Sequence, residues 1–314
     1  MTNLAIDAHG LRKSYGDKVV LDGIDLAVPE GTVFSLLGPN GAGKTTTVQI
    51  LSTLVPADGG TVRVAGHDLA READEVRGAI GVTGQYSAVD KLLTGEENLR
   101  LMADLRHLSR AEGRRRAAEL LERFDLVDAA RKPAGTYSGG MQRRLDLAMT
   151  LVGDPRLIFL DEPTTGLDPR SRRSMWRIVR ELVRDGVTIF LTTQYLEEAD
   201  ELADRIALLD GGRLIAEGTS EELKRLIPGG HVSLRFLDDD ALKDALTALG
   251  RGFVDPSDEA GLTLQVPSDG GVAPLRELLA RLDAAGVEPA DLSVHTPDLD
   301  DVFLTLTGPK ETSR

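Results

Sequence analysis

The sequence predicts an α/β fold: a parallel sheet with an antiparallel β-subdomain and a helical subdomain, followed by a small C-terminal α+β accessory domain. Three observations predict it. Short apolar runs at residues 33–37, 157–160 and 187–192 are each followed by a helical pattern, the recurrence of strands buried on both faces of a parallel sheet. A helical stretch rich in Arg, Leu and Ala, about residues 97–151, interrupts that recurrence and reads as an insertion. Beyond the breaker cluster Pro228-Gly229-Gly230 both pattern and charge change: residues 229–314 hold 7 basic and 16 acidic side chains, net −9, against net −5 for residues 1–228. The expected domains are therefore 1–228 and 229–314.

In chain order, residues 4–8 and 19–28 alternate apolar and polar side chains and predict antiparallel strands. The strand at 33–37 runs into a glycine-rich loop and a helix over 45–54. An apolar strand at 79–82 precedes Gln85. Strands at 157–160 and 187–192 each lead into a helix. In the C-terminal domain the expected order is strand 231–236, helix 240–249, a strand near 251–255, strand 261–266, helix 274–285 and strand 292–296, a βαββαβ arrangement. A last helix, 299–306, carries Leu299, Val302, Phe303 and Leu306 on one side. Arg114-Arg115-Arg116 lies among Glu112, Glu119 and Glu122, so it reads as a solvated helix face rather than a basic patch.

Composition narrows the function. The chain has 314 residues, 41% hydrophobic and 28% charged, the balance of a globular protein with a core. With no Cys and five scattered His, neither a disulfide framework, a thiolate centre nor a structural zinc is expected. No apolar run reaches the ~18 residues of a membrane span, and Met1-Thr2-Asn3-Leu4 does not start a secretory leader. A net charge of −14 argues against nonspecific binding to nucleic acid, which depends on phosphate neutralisation.

Three motifs carry the chemistry. Gly38-Pro39-Asn40-Gly41-Ala42-Gly43-Lys44-Thr45-Thr46 fits a P-loop between a strand and a helix. Its backbone N–H groups and the helix N-terminus suit phosphates, Lys44 suits the β- and γ-phosphates of ATP, and the Thr45 hydroxyl suits Mg²⁺. Asp161 ends an apolar strand, at the edge where open α/β sheets bind ligands, and is expected to hold Mg²⁺. Glu162 follows as the expected base for the attacking water. Ser138-Gly139-Gly140-Met141-Gln142 alone would read as a helix cap, but it stands about twenty residues before the Asp–Glu strand.

With these three segments in this order, residues 4–225 resemble the ATP-binding cassette (ABC) family. Ser138, Gly139 and Gly140 match its signature, with Tyr137 where the family often has Leu. The resemblance implies that this loop binds the γ-phosphate held by an opposite subunit, so that each site is built from two chains. It also implies that Tyr15 stacks on adenine, although a strand aromatic alone more often reads as buried. Gln85 matches the glutamine that contacts Mg²⁺ or water and faces a transmembrane partner. Gly166-Leu167-Asp168 matches the loop joining the two sites of the dimer. Gln194 stands where many members have a His on the γ-phosphate; it keeps an N–H donor but cannot become cationic.

Thr83-Gly84-Gln85-Tyr86, Tyr137–Met141, Thr193-Gln194-Tyr195 and the tail Leu299-Asp300-Asp301-Val302-Phe303-Leu304-Thr305-Leu306-Thr307-Gly308 resemble, more narrowly, the daunorubicin/doxorubicin-resistance ATP-binding subfamily. That resemblance implies a homodimeric ATPase at the cytoplasmic face of the cell membrane, driving drug efflux through a separate integral membrane permease. ABC ATPases for lipid or polysaccharide cargo, and soluble ABC ATPases without a transport role, are the alternatives.

Overall fold

The computed structural model describes residues 3–84, 88–227, 230–249, 262–268 and 271–307. It divides into two compact units, Met1–Ser220 and Glu221–Arg314.

The first unit opens with β1 (Leu4–Tyr15) and β2 (Lys18–Pro29), an antiparallel hairpin whose two-residue turn uses Gly16 at φ +59°. β3 (Val33–Leu37) is buried throughout and leads into α1 (Lys44–Leu51). Then come β4 (Gly59–Val64), β5 (His67–Asp68), α2 (Ala73–Ala79) and β6 (Ile80–Thr83). The helical insertion is α3 (Gly95–Leu105), α4 (Arg110–Arg123) and α5 (Gly139–Thr150). Thr94 and Glu97 start α3 with a reciprocal capping box. On α4, Arg115 pairs with Glu119 and Arg116 reaches the Leu151 carbonyl, so two of the three arginines are engaged within this unit. The core resumes with β7 (Leu157–Asp161), α6 (Pro169–Arg184), β8 (Thr188–Thr193), α7 (Leu196–Leu202), β9 (Arg205–Asp210) and β10 (Arg213–Gly218).

Two sheets result. The antiparallel one has the order β2-β1-β4-β5; the other, order β10-β9-β3-β8-β7-β6, is parallel except for β10. Between them lies a core that includes Ile6, Leu26, Phe34, Phe159 and Phe190. The Phe190 ring is 5.7 Å from Phe34 and 5.6 Å from Phe159, a row that ties the three central strands. A second core joins the helical insertion to α6 through Leu99, Leu120, Leu145, Trp176 and Val179. The strand order decides where function can sit. β8 lies between β3 and β7, with Leu37 beside Thr193 and Asp161 beside Thr192, and β6 pairs with β7. Four strands thus discharge their following loops at one carboxyl edge.

In the second unit β11 (His231–Arg235), β12 (Thr263–Pro267) and β13 (Asp291–His295) form an antiparallel sheet with β11 central. α9 (Asp239–Leu249) and α10 (Val272–Ala284) contribute Ala245, Leu249, Leu278 and Leu282 to a core with Val232, Leu234 and Leu264. The strand expected near 251–255 lies outside the described residues. The five-residue α8 (Ser220–Lys224) precedes this sheet in the chain, and the last helix, α11, spans Leu299–Thr307 after β13. Leu299 and Val302 are buried, Phe303 and Leu306 are half-buried, and Leu304 is exposed.

Candidate nucleotide site

The loop from Gly38 to Gly43 links β3 to α1. Gly43 caps α1 at φ +115°, a conformation that side chains with a Cβ avoid. A Cβ there would also stand 2.7 Å from Leu21 Cδ2 and 3.0 Å from the Val20 carbonyl, so β2 passes directly behind the loop. Pro39 accepts from the Ala42 N–H at 3.2 Å, closing the turn. Asn40, Gly41 and Thr45 are exposed, Thr46 is half-buried, and Ala42 and Lys44 are buried. Lys44 Nζ donates to the carbonyls of Gly38 (2.8 Å) and Pro39 (3.1 Å) and lies 3.7 Å from Glu162 Oε1. Burial lowers the Lys44 pKa below the ordinary lysine range, while Glu162 and Asp161 push it back up.

Asp161 is the last residue of β7, buried, with Oδ1 accepting from the Thr192 hydroxyl of the neighbouring strand. Glu162 turns out of the strand at φ +48°, its N–H bonded to the Thr192 carbonyl at 3.0 Å and Oε2 accepting from Thr165 Oγ1 at 3.3 Å. Gln194 follows β8 directly and is half-buried. Lys44, Asp161, Glu162 and Gln194 therefore issue from the adjacent ends of β3, β7 and β8.

The other expected residues lie on separate elements. Tyr15 closes β1 with its ring 49% exposed, so it is not the buried strand aromatic that is the commoner reading; Lys13 Nζ lies 5.4 Å from the ring centre. Ser138 caps α5, its Oγ accepting from the Met141 N–H at 3.3 Å, and Ser138 and Gly139 are exposed. A Cβ on Gly140 would fall 2.6 Å from Ser171 Oγ, so only glycine lets α5 approach α6 this closely. Ser171 in turn occupies both carboxylate oxygens of Asp168, the cap of α6, through its N–H (3.0 Å) and hydroxyl (2.7 Å). These bonds hold the Asp168 carboxyl below the usual range. Gln85 lies outside the described residues. Tyr137 is buried and donates its hydroxyl to the Ala129 carbonyl at 2.7 Å, a bond that a leucine could not make.

Sequence reasoning missed several buried polar groups here. Arg143 on α5 donates to the carbonyls of Asp161 and Pro163 and pairs with Asp146. Glu198 on α7 accepts from Trp176 Nε1 at 3.1 Å, and burial raises its pKa. Charged side chains inside apolar helical faces were the available signal.

A model of the ABC transporter family matches residues 21–165. The daunorubicin resistance ATP-binding protein DrrA2 of Streptomyces coeruleorubidus is 51% identical, over 98% of this chain and 96% of that one. The daunorubicin/doxorubicin resistance ATP-binding protein DrrA of Streptomyces peucetius is 50% identical, over 97% and 92%. Among solved structures, the dimeric post-hydrolysis state of an ATP-binding cassette bound to ADP and Pi superimposes with a TM-score of 0.62 at 28% identity, covering 68% of this chain and 98% of that one. A phosphate loop, an Asp–Glu strand end and a capped signature helix on one cassette fold, together with this near-full-length likeness, show that the chain belongs to the ABC transporter family, as an ATP-binding protein of the daunorubicin/doxorubicin-resistance group.

Proposed function

We propose that this chain is the motor of a drug or antibiotic exporter: a homodimeric ATPase at the cytoplasmic face of the cell membrane, coupled to a separate integral membrane permease. The observation that carries the catalytic part is the meeting of Lys44, Asp161 and Glu162 at one sheet edge, with Lys44 Nζ 3.7 Å from Glu162 Oε1. The cargo class draws its support from the resistance proteins matched across both units.

Lys44 offers its charge to the β- and γ-phosphates, and the loop N–H groups with the start of α1 bind the remaining phosphate oxygens. Glu162 orients the attacking water and takes its proton on the carboxylate. Gln194 donates a neutral N–H toward the γ-phosphate, and Tyr15 offers its exposed ring to adenine. Ser138, Gly139 and Gly140 present a hydroxyl and N–H groups to the nucleotide of the partner subunit. The dimeric, ADP- and Pi-bound cassette supports that shared-site reading.

The residues present fit Mg²⁺. Asp161 is a carboxylate at the end of β7 and Thr45 an exposed hydroxyl in the first turn of α1, hard oxygen donors that suit an ion held partly by substrate phosphates. Two carboxylates, Glu162 and Asp161, act on the one cation Lys44. Thr45 and Asp161, with Gln85, would hold the ion, which supplies charge neutralisation on the phosphates. No helix among the described residues is long and apolar enough to cross a membrane.

Glu162→Gln tests this reading. The variant is expected to bind ATP, hydrolyse it very slowly and accumulate as a closed dimer on size-exclusion chromatography with Mg-ATP. A variant that binds ATP yet stays monomeric at high concentration counts against the shared site. For the cargo, inverted vesicles carrying chain and permease should accumulate daunorubicin only with ATP.

A further inference from the structure

Arg143 lies in the second turn of α5 and is 9% exposed. Its guanidinium donates Nε to the Pro163 carbonyl at 3.0 Å and Nη2 to the Asp161 carbonyl at 3.2 Å. Those are the carbonyls of the two residues flanking Glu162. Nη1 reaches the Gly84 carbonyl at 2.9 Å and Asp146 Oδ2 at 3.1 Å. Asp146 Oδ1 accepts from the Ala88 N–H at 3.0 Å, so the acid that aims the guanidinium is itself held.

Glu162 needs such support. At φ +48° its backbone is left-handed, which a residue with a Cβ adopts only when its surroundings over-determine it. The Thr192 carbonyl holds the Glu162 N–H, and Arg143 holds the carbonyls before and after it. A lysine could not replace this grip, because one ammonium lacks the planar fork that spans diverging acceptors.

We propose that Arg143 is the positioning residue for Glu162: from the helix that starts at Ser138, it clamps the left-handed turn that aims the Glu162 carboxylate. The proposal rests on the reading of Glu162 as the base. It gives that reading a structural link, since the helix whose first turn faces the partner's nucleotide also holds this chain's own base in place.

The test is a cycle of Arg143→Lys and Glu162→Gln in the full-length chain, with Mg-ATP turnover measured alone and in membranes with the permease. Arg143→Lys is expected to lower kcat roughly 10- to 100-fold, as small misplacements of a catalytic group do. KM and ATP affinity should stay within about threefold, because Arg143 bonds no part of the phosphate loop. Added to Glu162→Gln, it should cost almost nothing further. Arg144→Lys, the neighbouring arginine bonded to Phe124 and Asp125, should keep the parent kcat. Unchanged kcat in Arg143→Lys, or an equal loss with and without Glu162, would overturn the proposal. Parent-like turnover of Glu162→Gln alone would instead overturn the base assignment. If Arg143→Lys does not fold, Asp146→Asn, which loosens the guanidinium but keeps an acceptor for Ala88, decides on the same readings.

Discussion

Lys44 and Glu162, the cation of the phosphate loop and the acid after β7, lie 3.7 Å apart with side chains 5% and 10% exposed. Burial lowers the Lys44 pKa below the ordinary lysine range, and the carboxylates of Glu162 and Asp161 oppose that shift. Lys44→Ala is therefore expected to remove phosphate binding rather than to unfold the loop, whose turn is closed by backbone bonds. Losing a charged donor to phosphate costs about 2–4 kcal/mol, so ATP affinity by calorimetry should fall roughly 30- to 1000-fold. Unchanged affinity would mean that phosphate binds elsewhere.

Gln194 separates two accounts of the γ-phosphate. It follows β8 at the same edge as Asp161, half-buried, and carries no charge. If Gln194 contacts the γ-phosphate as proposed, Gln194→Ala should slow turnover with little change in ADP affinity, since ADP lacks that group, and Gln194→His should retain activity. If Gln194→Ala hydrolyses ATP as fast as the parent, this position has no part in the chemistry.

The phosphate loop, the Asp–Glu step and the strand–helix recurrence were legible because each is local: glycine spacing, or a run of apolar residues ending in an acid. The parallel core with its antiparallel and helical subdomains follows from that recurrence and is the fold observed. Less legible was anything whose meaning lies in a partner distant in sequence. Thr192 reads as one more residue of a buried strand until the β7–β8 register sets its hydroxyl on Asp161. Arg143 and Asp146 read as helix polarity until α5 packs on the end of β7. The left-handed turn at Glu162 has no sequence mark, because that conformation ordinarily selects glycine.

Glu198 makes the fold sensitive to pH. Burial raises its carboxyl above the ordinary glutamate range, opposed by the Trp176 Nε1–H, which donates to Oε1 at 3.1 Å. The unfolded chain therefore ionises this group first as pH rises. Its contribution to stability is fully present below the unfolded pKa and is lost as pH climbs through the raised folded value. Glu198→Gln keeps an oxygen for the Trp176 N–H and cannot ionise. Its unfolding midpoint should exceed the parent's at pH 8, by about 2–4 °C for each kcal/mol relieved, with the gap closing toward pH 4.5. A gap independent of pH, followed by calorimetry across that range, would show that ionisation of Glu198 does not matter.

The second unit carries no phosphate loop, and its role is the last expectation. Both cores of the first unit are built from residues up to Leu209, with Leu214 packed against one of them, so truncation after Pro228 removes none of their members. The removed part has its own core around Val232, Leu264 and Leu282, and it carries most of the net negative charge of the chain. We expect residues 1–228 to fold and bind ATP with the parent affinity but to fail in assembly, losing the dimer with Glu162→Gln or the permease complex, and with it export. The side of α11 bearing Leu299 and Val302 is buried, and that burial fits either an assembly role or simple closure of the accessory unit. Chromatography with Mg-ATP and export by cells carrying the permease separate the two. A truncated chain that dimerises and supports export at the full level would leave residues 229–314 no part in assembly.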